Sequence, residues 1–210
     1  HHGYINRMKS ALMMHGYDKD TLHVELIQMV RILKDNKEIK ISKRTGDAYS
    51  LRDICEDCGK DASRYFFAMR SASMHLDFDI NLALEQSSNN PIYYAHYAHA
   101  RLCSILDQAS DIGIDIEASQ ATTNSETALL KFMIDFPSEV SKAANEKAPY
   151  LITNYIHRLA ELVHAFYTEC RVIDRNNLEV TKSRLALCKA AQIILRNALS
   201  LIGVSAPRHM

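Results

Sequence analysis

The sequence lacks an excess of charge of either sign. Its 210 residues include 25 lysines and arginines against 25 aspartates and glutamates, which gives a formal net charge of +0. A protein that is strongly basic as a whole is therefore excluded, although balanced totals leave local charged faces open. The length suffices for one large domain or two small ones.

Long apolar runs and a paired set of cysteines are also missing. No apolar stretch approaches the roughly 20 residues that cross a bilayer, so we expect no membrane partner. The five cysteines are an odd number, and no secretory leader is recognisable, so we expect free thiols and a cytoplasmic location. Cys55 and Cys58 have no second cysteine pair to complete a tetrahedral set, so we expect no structural metal.

A basic loop, Lys40-Ile41-Ser42-Lys43-Arg44-Thr45-Gly46, is the most distinctive stretch that is present. Ammonium groups, a guanidinium fork and small hydroxyls suit phosphate oxygens, but an ordinary solvated loop has the same composition. The apolar run at residues 22–33 predicts a buried strand, Lys34-Asp35-Asn36-Lys37 predicts a turn, and residues 38–41 predict a short returning strand. The loop would then extend from a hairpin.

The next segment carries local start and stop signals for helices. Ser50 stands three residues before Asp53, a capping-box spacing that predicts a helix ending at Gly59, with another helix following it. We expect an irregular connection at residues 74–79 and a short helix at residues 81–86.

The polar, breaker-rich stretch Ser87-Ser88-Asn89-Asn90-Pro91 predicts a domain boundary, with domains at 1–88 and 89–210. Beyond it, apolar residues recur at spacings of three and four, which predicts four amphipathic helices that bury their stripes in a bundle. Pro137 and Pro149 mark helix starts, and residues 111–124 form a loop. The predicted fold is mostly α.

The basic loop resembles the second signature loop of class I aminoacyl-tRNA synthetases, usually written Lys-Met-Ser-Lys-Ser. Its Arg-Thr-Gly ending looks like the arginyl-tRNA synthetase version. The resemblance continues in Tyr-Ala-His-Ala-Arg at 97–101, which is similar to the opening of that family's helical anticodon-binding domain, and in the closing residues up to Met210. The Asp-Ala-Leu-Arg signature of that domain is absent in that wording; the nearest stretch is Ser183-Arg184-Leu185-Ala186.

The resemblance implies the end of a Rossmann-type catalytic domain, with the signature loop and a tRNA stem-contact region, followed by a helical anticodon-binding bundle. The first signature motif of the class, similar to His-Ile-Gly-His, does not occur. We therefore interpret the sequence as the carboxy-terminal part of a longer protein, with His1 and His2 native. The implied parent attaches arginine to its tRNA through arginyl-adenylate, with ATP, Mg²⁺, arginine and tRNA as partners and no DNA. This part alone would be inactive.

The resemblance assigns the catalytic role chiefly to Lys43, with Lys40, as cations that stabilise charge on the ATP phosphates in the transition state. Ser42 would support phosphate contact. It also places the backbone of Gln28, Met29 and Val30 near the adenine of ATP, and His1 near its ribose.

A second set of candidates lies on one stripe of the first bundle helix. Tyr94, Tyr97 and Arg101 would offer two phenol rings and a guanidinium to unstacked RNA bases, although spacing alone favours tyrosines in a core with their hydroxyls at its rim. The resemblance favours RNA binding and adds Tyr167 and Met210 as anticodon contacts. The alternative to a ligase is a stand-alone tRNA- or RNA-binding helical module without catalysis.

Overall fold

The computed structural model describes residues 2–39, 49–118 and 120–210. Within these ranges the chain forms nine α-helices and three short strands. In chain order they are α1 (Tyr4–Met14), β1 (Val30–Lys34), β2 (Lys37–Glu38), α2 (Leu51–Cys58), α3 (Lys60–Ala68), β3 (Leu76–Asp79), α4 (Ile80–Leu84), α5 (Pro91–Asp111), α6 (Asn124–Ile134), α7 (Phe136–Asn145), α8 (Pro149–Glu169) and α9 (Leu178–Leu201). The predicted mostly α class is confirmed.

The three strands form one small sheet in the order β2-β1-β3. β1 and β2 are antiparallel and joined by a two-residue turn, in which Asp35 and Asn36 both have positive φ, 52° and 59°. Positive φ at both turn residues gives the hairpin a twist that matches the right-handed twist of its strands. Asp and Asn adopt positive φ more readily than most residues. The hairpin predicted before the basic loop is therefore present. The loop itself lies outside the described residues, and with it the candidates Lys40, Ser42 and Lys43; so does His1.

Two predictions for this sheet were wrong. Only the end of the run at residues 22–33 is strand, because β1 has hydrogen-bonded partner strands only from Val30 onward. Ile27 and Met29, which precede the strand, are exposed. Conversely, residues 74–79 contain β3, which pairs parallel with β1 from Leu76. Leu76 and Phe78 are buried while the aspartates between and after them are not, an alternation that was easy to miss because it is short and half aspartate.

The local helix signals were read correctly. The Ser50 hydroxyl accepts the Asp53 N–H, and the Asp53 carboxylate accepts the Ser50 N–H over 2.5 Å, so the capping box is complete. Residues 111–124 connect α5 to α6, as predicted. Pro137 and Pro149 lie in the first turns of α7 and α8.

Five helices rather than four form the bundle, because α6 and α7 are separate on either side of Asp135. α8 lies at its centre and packs against α5, α6, α7 and α9. Alanines at fully buried positions of α5 and α9, among them Ala95, Ala98 and Ala191, let the helices approach closely. One continuous apolar core extends from β1 and β3 into the bundle, so the domain boundary at 88/89 stays a prediction.

Candidate nucleic-acid interface on helices α5 and α8

The predicted RNA-binding stripe of α5 lies along α8. At about 100° per residue, Tyr94, Tyr97 and Arg101 fall within roughly 60° of one another on the helix. They flank the buried stripe that begins with Ala95 and Ala98. Alanines in the buried stripe of α5 let this helix lie close to α8. The neighbouring stripe of Tyr94, Tyr97 and Arg101 is thereby brought near the side chains of α8.

His164 of α8 joins the two tyrosines of α5. Its ring centroid lies 4.5 Å from that of Tyr94 and 5.6 Å from that of Tyr97, and the planes of Tyr97 and His164 differ by only 20°. His157, two turns earlier on α8, lies 5.6 Å from Tyr94. Sequence reasoning missed both histidines, although their separation of seven residues places them on one face of α8 and could have indicated them.

Arg101 continues the row onto Tyr167. The guanidinium carbon lies 4.4 Å from the centroid of the Tyr167 ring, a cation–π distance, and Arg101 also donates a hydrogen bond to the Tyr167 hydroxyl. Its Nε has no hydrogen-bond partner in the described part of the chain. We call these five side chains, Tyr94, Tyr97, Arg101, His164 and Tyr167, the aromatic row.

Burial favours the neutral form of two rings of the row. It lowers the pKa of His164 below its ordinary 6.5, because an imidazolium is disfavoured where water is excluded. It also raises the pKa of Tyr94, and the Glu161 carboxylate adds to that effect.

A cleft opens where the row ends. It has a volume of about 820 Å³ and lies between the last turns of α5 and the segment that follows α8, within the size range of small-ligand sites. Its walls combine apolar side chains with two arginines; the residues that matter here are Ile105, Ile112, Tyr167, Arg171 and Arg175.

A buried ion pair fixes the cleft wall. Arg184 of α9 donates from Nε to Glu126 over 2.7 Å and from Nη1 to the carbonyl of Arg171 over 2.9 Å. Burial by itself would raise the pKa of Glu126, but hydrogen bonds from Thr122, Thr123 and Arg184 outweigh it and hold the pKa below its ordinary value. Glu126 was not singled out from the sequence, because its partner is 58 residues away.

Met210 belongs to a different flank of α5. The segment 203–210, which we call the tail, runs along this helix and is held by His96 and His99. These histidines lie about 140° to 200° around the helix from Tyr94. Met210 is exposed. The structure thus joins Tyr94 and Tyr97 through His164 and joins Arg101 to Tyr167 directly. The interactions described for the tail link Met210 to neither group.

The predicted adenine contacts lie at the entry to β1. The N–H of Gln28 donates to the carbonyl of Ala72 over 2.9 Å, and Val30 begins the pairing with β3. A groove of about 310 Å³ adjoins Gln28 and Val30, and Phe67 and Arg70 also line it. An ATP contact at Met29 and Val30 stays a prediction.

The described residues were also searched for a membrane-spanning helix and for a metal-binding group of side chains. Among the residues it describes, no helix is long and apolar enough to span a membrane. In the same ranges no three histidine, cysteine or acidic side chains form a group that could hold a metal ion.

Comparison with known proteins places the aromatic row, apart from Tyr94, inside a recognised domain. The sequence profile of the family described as DALR anticodon binding domain matches residues 95–210. The arginine–tRNA ligase of Bacillus subtilis is 51% identical over 214 aligned residues, which cover 100% of this chain and 38% of the relative. The chain thus spans less than two fifths of the length of that curated relative.

Solved structures give the same picture. A Campylobacter jejuni protein assigned as an arginyl-tRNA synthetase superposes with a TM-score of 0.88 at 32% identity, covering 100% of this chain and 46% of that one. The arginyl-tRNA synthetase of Plasmodium falciparum gives a TM-score of 0.64 at 25% identity, covering 74% and 27% of the two chains.

Proposed function

The chain belongs, through residues 95–210, to the DALR anticodon-binding domain family, and on that premise we propose that it is the carboxy-terminal part of an arginine–tRNA ligase. In this proposal the aromatic row binds unpaired anticodon nucleotides of the tRNA for arginine. Its partner is tRNA rather than DNA, and it acts where that tRNA is used, in the cytoplasm. The row and the similarity to arginine–tRNA ligases support the proposal together.

One observation carries the RNA-binding role: the tyrosines of the row are not built like the core tyrosines of the same protein. Tyr65 and Tyr155 are 1% and 3% exposed, and each hydroxyl donates to a backbone carbonyl, at 3.3 Å and 3.1 Å. Tyr97 and Tyr167 are 44% and 37% exposed. Both exposed rings adjoin a partner that suits a base stack, the His164 ring at Tyr97 and the Arg101 guanidinium at Tyr167, which argues against the core interpretation.

The chemistry of the row suits single-stranded nucleotides. Bases stack on aromatic rings with a contribution of about 1–3 kcal/mol each, whatever their sequence. The row would also offer the half-buried guanidinium of Arg101 as a donor to a base edge or a phosphate oxygen. The cleft beyond Tyr167 has apolar walls for a base and two arginines for its phosphate.

For the catalytic half, the parent would activate arginine with ATP and Mg²⁺ before transfer to tRNA. The carboxylate of arginine attacks the α-phosphate, and pyrophosphate leaves. Lys43 and Lys40 would hold the phosphate charge, with Ser42 as a further phosphate contact, while Met29 and Val30 would meet the adenine and His1 the ribose. The described elements that flank this loop in sequence are β2, which ends at Glu38, and the capped helix α2, which begins at Leu51.

Binding of a hairpin RNA tests the anticodon role. Tyr97→Ala and Arg101→Ala should each weaken binding of the arginine anticodon stem-loop by about tenfold, as loss of one stacking or charged contact predicts. Tyr4→Ala and Arg7→Ala are matched controls, because these residues form an exposed pair of the same kind on α1, with the Arg7 guanidinium carbon 5.5 Å from the Tyr4 ring centroid. Unfolding midpoints should stay within the range of the controls. Unchanged affinity in both row variants would contradict the proposal.

Catalytic ancestry needs a separate test, because a stand-alone RNA-binding module would have the same row. In the full-length parent, Lys43→Ala should slow arginine-dependent ATP–pyrophosphate exchange by about 10²–10³-fold, the effect of removing one transition-state contact, and leave tRNA affinity nearly unchanged. The isolated 210-residue chain should show no exchange. Exchange by the isolated chain, or a parent without activity, would contradict the ligase assignment.

A further inference from the structure

The turn of the β1–β2 hairpin is held by a side chain from outside the hairpin. Oδ1 of Asn81, in α4, accepts the N–H of Asp35 over 2.8 Å, and Nδ2 of Asn81 donates to Oδ1 of Asp35 over 3.0 Å. We call these two hydrogen bonds the turn clamp. The turn benefits from such support, because positive φ at Asp35 and Asn36 is disfavoured for residues that carry a Cβ.

The turn clamp requires an amide. A backbone N–H can only donate and a carboxylate oxygen can only accept, so the side chain between them must present one acceptor and one donor. Asn81 does this with the two ends of its amide. An aspartate in its place would still accept the N–H of Asp35, but it would have no donor for the Asp35 carboxylate, and two negative charges would face each other.

The helix that carries Asn81 is fixed to the sheet. α4 begins at Ile80, next to the last residue of β3, and the Asp79 carboxylate caps it by accepting the N–H of Leu82 over 3.1 Å. Ile80 is buried in the same core as Ile32 of β1. Asn81 therefore extends toward the turn from a packed support.

The strand that follows the turn has few other attachments. β2 contains only Lys37 and Glu38, and among the described strands it pairs with β1 alone. The ladder continues for one more residue, since the Ile39 N–H donates to the carbonyl of Ile32 over 2.8 Å. A hairpin this short is marginally stable by itself. The direction of β2 therefore depends on the turn from which it starts.

We propose that Asn81 is a positioning residue for the activation of arginine: by clamping the turn at Asp35 it sets the direction of β2, the strand that leads in sequence into the basic loop. The inference rests on the proposed function, because the direction of β2 matters to catalysis only if Lys43 and Lys40 hold the phosphate charge. Asn81 acts through the hairpin and not by contact with ATP.

A reversed pair of side chains tests the turn clamp. Asn81→Asp should break it. In an Asp35→Asn background the same change should be harmless, because the amide introduced at position 35 donates to the carboxylate introduced at position 81, which still accepts the backbone N–H. Asn89→Asp is the matched control: Asn89 is exposed and donates to Glu85 over 2.9 Å, so the change sets two carboxylates together at the other end of α4.

The first readout is hydrogen exchange of the Ile39 amide in the 210-residue chain. Asn81→Asp should speed this exchange by about tenfold, because the ladder between β1 and β2 opens more often when its turn is released. Asn89→Asp should leave it within about twofold of the wild type, and so should Asn81→Asp in the Asp35→Asn background. An Ile39 amide that exchanges equally in the wild type and in Asn81→Asp would overturn the inference.

The second readout is arginine-dependent ATP–pyrophosphate exchange by the full-length parent. Asn81→Asp should lower kcat by about tenfold, since a misplacement of about 1 Å can cost up to about 10²-fold, and leave tRNA affinity unchanged. Asn89→Asp should leave kcat unchanged, and the Asp35→Asn background should restore it. In a Lys43→Ala background Asn81→Asp should have little further effect, because both changes act on one contact.

A merely structural asparagine would behave differently in these measurements. It would add the same loss of kcat in the wild-type and Lys43→Ala backgrounds. That result, a kcat that Asn81→Asp does not change, or a loss that the Asp35→Asn background does not restore would each overturn the inference.

The two proposals fail differently. If Lys43→Ala leaves pyrophosphate exchange intact, the catalytic role of the basic loop fails, and positioning by Asn81 fails with it. If Lys43→Ala slows exchange but Asn81→Asp does not, only the positioning inference is overturned.

Discussion

Arg184 and Glu126 form an ion pair at 2.7 Å between α9 and α6, and Glu126 is buried. The same guanidinium holds the carbonyl of Arg171 at the wall of the cleft. Arg184 lies in the stretch that comes nearest to the family's Asp-Ala-Leu-Arg signature. Its contacts with Glu126 and Arg171 are structural, because they hold the wall of the cleft.

Removing one partner of this pair should be costly. Arg184→Met should lower the free energy of unfolding by about 3–5 kcal/mol, because it leaves a buried carboxylate without its cation. The double variant Arg184→Met with Glu126→Gln should regain part of that loss. Urea denaturation measures both. A double variant less stable than Arg184→Met would show that the charge is not the source of the cost.

Gly203 provides a test of close packing. It has φ of +71°, and a Cβ there would overlap the Arg64 guanidinium, which donates from Nε to the carbonyl of Ile202 over 2.8 Å. Gly203→Ala should therefore destabilise the protein by about 2–3 kcal/mol, the sum of backbone strain and displacement of Arg64.

Gly113 is the matched control, since its φ of +70° is nearly the same but no atom lies within 4 Å of its Cβ position. Gly113→Ala should cost about 1 kcal/mol, from backbone strain alone. In an Arg64→Ala background, the cost of Gly203→Ala should fall to that of Gly113→Ala. Equal costs in the wild-type background would contradict the packing argument.

Stability should fall in mild acid. Burial lowers the pKa of His96, His99 and His164 below the 6.5 of an unfolded chain. A depressed histidine pKa means that the unfolded state takes up protons first, so stability is complete above pH 6.5 and declines as the pH falls below it. Denaturation midpoints between pH 8 and pH 5 measure the decline.

His99→Asn should flatten that pH profile, because protonation of His99 at Nε2 would set an N–H against the Gln192 amide. His157→Asn is the control, since this imidazole is exposed beside Glu161. A profile as steep in His99→Asn as in the wild type would exclude His99 as a source of acid sensitivity.

His164 should act in RNA binding as a neutral ring. His164→Phe should retain affinity for the anticodon stem-loop, and His164→Ala should lose about fivefold or more, the lower range for a lost stacking partner. Neither should change the dependence of affinity on salt, because a neutral imidazole releases no counterion. Titration at several salt concentrations measures this, and a smaller slope in His164→Ala would mean that the ring is charged in the complex.

Sequence reasoning succeeded where the signal was local. The Ser50–Asp53 capping box, the Asp35-Asn36 turn and the prolines of α7 and α8 each depend on neighbours within four residues. It failed where partners are distant: β3 is a strand because β1 lies beside it, 46 residues earlier in register.

The same division holds in the candidate site. Tyr94, Tyr97 and Arg101 share a stripe that helical spacing reveals, so they could be found from the sequence. The contacts of His164 with these tyrosines and of His99 with Gln192 could not, because only the packing of α5 against α8 and α9 brings them together.

Asn90 gives the segment 87–91 a property that its polar, breaker-rich composition conceals. Its side chain accepts the N–H of Ile92 at the start of α5 and donates to the carbonyls of Ala83 and Glu85 at the end of α4. Three hydrogen bonds from one buried side chain thus tie the start of α5 to the end of α4. Since α4 follows β3 without a break, this amide anchors the bundle to the small sheet.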